Sequence, residues 1–310
     1  MHHRPAFVFH PAYTCDIGPH VFPILKYEKT YAALMRTGLV PEDDWFTPAP
    51  ASREALLRVH TPEYLDDFFG VRWTRRTATS ELPISEEIVN AYALGAGGTI
   101  LAAEKALERG FAANLGGGFH HAFADHAAGF CYLNDIAIAI RHLQASQSIH
   151  RAAVIDCDLH QGNGTARIFH GDDTVFTFSI HQENNYPVKE ESDLDIGLED
   201  ETGDAEYLTR LEEALPGVFE RSRADFVVYQ AGADPYEHDV LGGLAISLAG
   251  LARRDRLVIE ACAVRQIPVV ATFGGGYAQK LADTVAIHTT TCRTLIEVGR
   301  EATERVEGRP

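Results

Sequence analysis

The sequence predicts an α/β fold: a single-domain, three-layer α/β/α arrangement around one mainly parallel sheet. Three observations predict it. Short apolar runs alternate with longer helical stretches. Most of the short runs are apolar on both faces, as strands covered by helices on both sides must be. Clusters of Gly, His, Asp and Tyr follow the short runs, where such a sheet opens its ligand crevice.

The first strand falls at 6–9 and the first helix at 27–37. A long helix at 86–109 leads into a strand at 112–115. A helix at 133–144 precedes strands at 152–155 and 175–180. The segment 192–203 is acidic and contains glycine, and it reads as a loop. A helix at 205–221, a strand at 226–230, a helix at 247–265, a strand at 268–273 and a helix at 278–298 complete the pattern. The 192–203 segment is too short to separate domains, so residues 1–310 read as one catalytic domain.

Composition narrows the function classes. The chain is 45% apolar and 23% charged, ordinary for a soluble globular protein. With 27 Lys plus Arg and 44 Asp plus Glu, its net charge is 27 − 44 = −17. Such a surface repels nucleic acid and attracts cations, although solubility alone accounts for it equally well. The apolar runs fall far short of a membrane span, and Met1-His2-His3-Arg4-Pro5 lacks a signal-peptide core. A cytoplasmic location is the expectation. Cys15, Cys131, Cys157, Cys262 and Cys292 show no C-x-x-C spacing, which argues against a disulfide framework and leaves them as small buried hydrophobes.

The chemistry lies at the strand ends. Asp158-Leu159-His160 is a D-x-H after a strand. Alternation along an extended chain points Asp158 and His160 to one side, with Asp156 in the same phase but deeper. Asp234 ends another strand and completes a three-ligand set. Two carboxylates and one imidazole leave a position open for water, as a catalytic zinc needs. One Asp or His after a strand reads best as a cap or a satisfied polar group; four together do not. His120 and His121 supply groups that titrate in the range for acid–base work. Along an extended segment they face opposite ways, one nearer the metal and one nearer the mouth. Asp156 and Asn163 are candidate partners for them. Tyr277 follows Gly274-Gly275-Gly276 and is placed to donate to an oxyanion, though alone it reads as a packed aromatic beside a turn.

With these residues in view, the chain resembles the zinc-dependent histone deacetylase family, on the arginase/deacetylase fold. The resemblance runs from His10-Pro11 to the helix after Tyr277. It rests on Gly-Gly-Gly-Phe-His-His (116–121), Gly-Phe-Cys-Tyr-Leu-Asn-Asp (129–135), Asp-Cys-Asp-Leu-His-Gln-Gly-Asn-Gly (156–164) and Ala-Gly-Ala-Asp (231–234). Gln161-Gly162-Asn163-Gly164 and Leu241-Gly242-Gly243-Leu244 look most like the class IV (histone deacetylase eleven-like) branch. His20-Val21-Phe22-Pro23 looks like bacterial and plant relatives.

The resemblance implies zinc, or iron(II), on Asp158, His160 and Asp234. It implies His121 as general base and acid with Asn163 as partner, His120 as an electrostatic histidine paired to Asp156, and Tyr277 as oxyanion donor. It implies a substrate tunnel between Phe130 and Tyr186, with Gly129 beside Phe130 and Leu241 at the rim. A structural K⁺ or Na⁺ is implied near Asp156, Asp158, His160, Ser179 and Ile180. Two-metal relatives on this fold place carboxylates where this chain has Gly162 and Tyr236, so one ion is expected. The expected activity removes an acetyl or longer acyl group from the lysine ε-amine of proteins or peptides. The alternatives are an amidohydrolase of small acylated amines such as acetylpolyamines and, from another class, a non-catalytic binding protein.

Overall fold

The structure, a computed structural model, describes residues 4–307. Met1, His2 and His3 lie outside the described residues. The strands are β1 (Ala6–Val8), β2 (Trp45–Phe46), β3 (Phe111–Asn114), β4 (Ala152–Asp156), β5 (Val175–Gln182), β6 (Leu194–Leu198), β7 (Phe226–Gln230) and β8 (Val269–Thr272). They form one sheet in the order β2-β1-β3-β8-β7-β4-β5-β6, and each pairing is parallel. The helices are α1 (Lys26–Thr37), α2 (Arg53–Leu57), α3 (Pro62–Phe69), α4 (Glu86–Arg109), α5 (Asp135–Ala145), α6 (Asn163–Phe169), α7 (Asp204–Ser222), α8 (Leu248–Arg265) and α9 (Leu281–Glu307).

The two-residue period of the strands sorts their side chains into two cores. Ala153, Ile155, Val227, Tyr229, Val269 and Ala271 join one core with Leu211 of α7, Leu251 and Val258 of α8 and Leu295 of α9. Ala152, Val154, Phe226, Val228 and Val270 join the other with Ala102 and Ala106 of α4 and Ile136 and Ile140 of α5. Both faces of the sheet are therefore covered, and the expected three layers are found.

The sequence reading missed the sheet's edges. The expected loop at 192–203 contains β6, which pairs with the second half of β5. Leu194-Asp195-Ile196-Gly197-Leu198 does alternate, but Asp and Gly are poor strand formers, and β5 supplies the pairing that offsets them. Strand β2 is too short to leave a pattern. Helix α5 begins at Asp135 because the Asn134 side chain caps it, accepting from the Ala137 amide at 2.9 Å. The last helix starts at Leu281 and runs nine residues beyond the expected end, from Val298 to Glu307. No helix among the described residues is long and apolar enough to cross a membrane.

Candidate active site

The site gathers at the C-terminal ends of β3, β8, β7 and β4, which are neighbours in the sheet. The chain after each strand bends away and delivers one piece. After β4 come Asp158 and His160, in a bend rather than an extended segment. They still converge, with His160 Nδ1 3.3 Å from Asp158 Oδ1. From β7, Asp234 brings Oδ2 to 3.3 Å from the same His160 nitrogen. Asp158, His160 and Asp234 are all buried, and one ligand atom from each lies within 4.8 Å of the others.

Their outer oxygens are already engaged. The Gly275 amide donates to Asp158 Oδ2 at 2.8 Å and the Leu159 amide to Asp234 Oδ1 at 2.9 Å. These bonds aim the remaining atoms inward. Asp234 Oδ2 is buried with no hydrogen-bond partner among the described residues, which is costly unless a cation takes it. Burial, with the Asp158 carboxylate, pushes Asp234 above the ordinary carboxylate range. Burial opposes the charge on His160, yet its bond to Asp158 and the neighbouring Asp234 carboxylate raise it to about 10. A Cβ on Gly275 would collide with Asp234 Oδ2, so glycine keeps this space open. The donor set thus fits a divalent cation of zinc type. A Cβ at Gly162 would strike Asp156 Oδ2, and Tyr236 is a buried tyrosine, so neither position expected to carry a second-metal carboxylate does so.

The two histidines differ from expectation. The loop that carries them is not extended: Gly118 has φ of +100°, and its amide and that of Phe119 donate to the buried Asp135 carboxylate. The rings therefore turn to the same place, with Nε2 of His120 and Nε2 of His121 3.1 Å apart. His120 Nδ1 donates to Asp156 Oδ2 at 2.7 Å, and His121 Nδ1 donates to Asn163 Oδ1 at 2.8 Å. Asn163 opens α6, a helix the sequence reading did not contain.

Tyr277 is held by its backbone, whose amide donates to Asp239 Oδ2 at 2.6 Å. Among the described residues its hydroxyl takes no hydrogen bond, and it lines a cavity of about 240 Å³. Glu81, His121, Gly129, Phe130, His160, Asn185, Tyr186 and Leu241 form the rest of that wall. An inner space of about 20 Å³ shares His121, Phe130, His160 and Tyr277 with it and is closed by Phe22, Phe119 and Cys131.

Other expected residues fall elsewhere. His181, one residue past the strand expected at 175–180, lies inside β5, with its Nδ1 2.9 Å from the Ser179 hydroxyl. Ser179 stands opposite Asp156 in the β4–β5 register, with Ile180 beside it. The sequence reading missed Glu81, Asn185, Phe22 and Lys26. Lys26 is fully buried, donates to the Gly274 carbonyl, and lies 5.8 Å from the centre of the Tyr277 ring. Burial pulls its ammonium down to about 8. A lone Glu in a loop and a Lys at a helix start carry no sequence signal.

Comparison with known proteins gives one family. The histone deacetylase domain matches residues 20–292. An uncharacterized protein of Picosynechococcus sp. is 40% identical over 284 residues, covering 91% of this chain and 95% of its own. Histone deacetylase 2 of Arabidopsis thaliana is 32% identical, covering 86% of this chain and 72% of its own. A solved structure of an HDAC homolog complexed with SAHA superposes with a TM-score of 0.81 at 26% identity, covering 94% of this chain and 84% of that one. The chain belongs to the histone deacetylase family, on its α/β fold.

Proposed function

We propose that this hydrolase removes an acetyl group from the lysine ε-amine of proteins or peptides, with zinc held by Asp158, His160 and Asp234. One observation carries the reading: two partnered histidines, His120 and His121, face a buried Asp/His/Asp trio in which Asp234 Oδ2 takes no hydrogen bond among the described residues. Zinc bound there supplies Lewis-acid polarisation of the amide carbonyl and a lowered pKa for water. Iron(II) suits the same donors. The site's own residues do the remaining work. The bond to Asn163 fixes the His121 proton on Nδ1 and leaves Nε2, 3.1 Å from His120 Nε2, unprotonated to take a proton from the attacking water. Protonated His121 then returns it to the leaving amine. Tyr277 donates to the developing oxyanion from the cavity wall. His120, charged against Asp156, stabilises that negative charge from behind. Phe130 and Tyr186 flank the aliphatic stem and exclude water.

The inner space beside Asp158 and His160 is narrow, about 20 Å³ with no ion counted, which favours acetyl over longer acyl groups. Glu81 on the cavity wall favours a second reading, in which an acetylpolyamine presents its other ammonium to this carboxylate. The class IV, bacterial-type placement is supported by Asn163, which partners His121 where class I members usually carry Asp. A K⁺ or Na⁺ near Asp156, Asp158, His160, Ser179 and Ile180 and a cytoplasmic, single-domain enzyme complete the proposal.

Turnover of acetyl-lysine, octanoyl-lysine and acetylputrescine by the zinc-loaded protein, with and without a hydroxamate, tests it. Preferred, hydroxamate-sensitive acetyl-lysine turnover is expected. Preference for octanoyl-lysine would overturn the acetyl assignment, and no turnover of any of the three would favour a binding protein.

A further inference from the structure

We propose that Arg254 is a positioning residue for the metal centre: its buried guanidinium holds the ends of β4 and β7 at the separation that brings Asp158 and Asp234 onto one ion. This rests on the proposed reading of those two residues as ligands.

The ladder between β4 and β7 closes with the bond from the Cys157 amide to the Gln230 carbonyl, 3.0 Å long. Past it the strands must separate, because each then carries one carboxylate into the crevice. Separation leaves the Cys157 and Gly232 carbonyls buried and beyond the reach of ladder donors, a costly situation for backbone oxygens. Arg254 answers both, the Cys157 carbonyl also accepting a long bond from the Tyr207 hydroxyl at 3.5 Å. Its Nη1 donates to the Cys157 carbonyl at 3.2 Å and to the Gly232 carbonyl at 2.6 Å. Cys157 immediately precedes Asp158, and Gly232 lies two residues before Asp234. One nitrogen thus ties together the two backbone segments from which the carboxylates project.

The other side of the guanidinium is fixed as firmly. Asp255 Oδ1 accepts from Arg254 Nε at 3.0 Å and Nη2 at 2.8 Å, and also from the Tyr229 hydroxyl at 2.6 Å. Asp255 Oδ2 accepts from the Thr291 hydroxyl of α9 at 2.6 Å. The clamp therefore joins α8, α9, β4 and β7. Arg254 and Asp255 are both completely buried. Desolvating such a pair is costly, and apolar residues of similar volume often pack as well or better. What an apolar residue cannot do is hold two carbonyls on one rigid donor.

The test compares the full-length wild type with Arg254→Lys, Arg254→Met and Thr291→Val. The readouts are zinc affinity by chelator competition, the visible spectrum of the cobalt(II)-loaded protein, and melting temperature without metal. Arg254→Met is expected to bind zinc roughly 10–100-fold more weakly and to shift the cobalt bands, the usual effect of losing an outer-shell partner. Arg254→Lys keeps the charge without the fork and should recover part of the affinity. Thr291→Val, which loosens Asp255 without touching the strands, should show a smaller shift in the same direction and decides the matter with Arg254→Lys if Arg254→Met does not fold. Wild-type affinity and an unchanged cobalt spectrum in the variants, with only the melting temperature lowered, would overturn the inference and leave Arg254 a structural residue. A wild type that binds no zinc would overturn the ligand reading itself, and this inference with it.

Discussion

Nε2 of His120 and Nε2 of His121 stand 3.1 Å apart, yet their surroundings drive the two rings in opposite directions. Burial works against a charge on both. At His120 the Asp156 and Asp158 carboxylates and the bond to Asp156 outweigh it and raise the imidazole to about 9. At His121 burial is reinforced by His120 and His160, and Asn163 brings no charge to offset it, so the ring lies well below its ordinary value. Neighbours pushed apart in this way suit the proposed roles, with His121 as the neutral base and His120 as its charged companion.

The pH profile of kcat/KM follows from this. Protonation of His121 sets the acid limb, below the ordinary histidine range, and loss of the His120 proton sets the alkaline limb near 9. Asp156→Asn removes the carboxylate that raises His120, so the alkaline limb should move to lower pH. An alkaline limb that stays in place in this variant would show that His120 does not govern it.

Tyr277→Phe removes a hydroxyl that lines the cavity and spares the backbone bond to Asp239. Zinc content should stay at one per chain while kcat falls about 10²–10³-fold, as for other single oxyanion donors. Wild-type turnover would refute the oxyanion role.

Asp158→Ala and Asp234→Ala should lose zinc together with activity, read by elemental analysis of the purified protein. Removing the metal should also destabilise the wild type, because Asp158 and Asp234 are then left buried against each other. Zinc present at a thousandfold excess over its Kd stabilises by about 4 kcal/mol, so a chelator should lower Tm by several degrees. Stoichiometric zinc in either variant would sink the ligand assignment.

Stability should fall with pH through His60. This ring is buried, and its Nε2 accepts from the Asn134 amide at 3.0 Å. Burial lowers it from 6.5 in the unfolded chain to about 4 in the fold. Between those values the unfolded chain takes up a proton that the native state refuses, so stability drops as pH falls from 6.5 towards 4 and levels below that. The loss is about 3 kcal/mol. His60→Gln should flatten that part of the denaturant-derived stability curve; an unchanged slope would assign it to other groups.

The sequence by itself determined the layers, the strand ends and the residue types at the site. Short runs that are apolar on both faces call for a sheet covered on both sides, and chemistry-bearing residues after successive strands meet in one crevice. The D-x-H at 158–160 was legible for the same local reason, even though the backbone there bends. Only the tertiary structure decided how the pieces face one another. Gly118 and the Asp135 carboxylate turn His120 and His121 to one side, against what an extended segment dictates. The pairing that makes β6 a strand comes from β5. Glu81, Lys26 and Arg254 enter from distant positions, and Arg254 does so as one charged residue in an ordinary helix. Sequence patterns report periodicity within an element. Which carbonyls lose their ladder partners, and which side chain supplies the missing donor, depends on where strands part, and that is a property of the packed sheet alone.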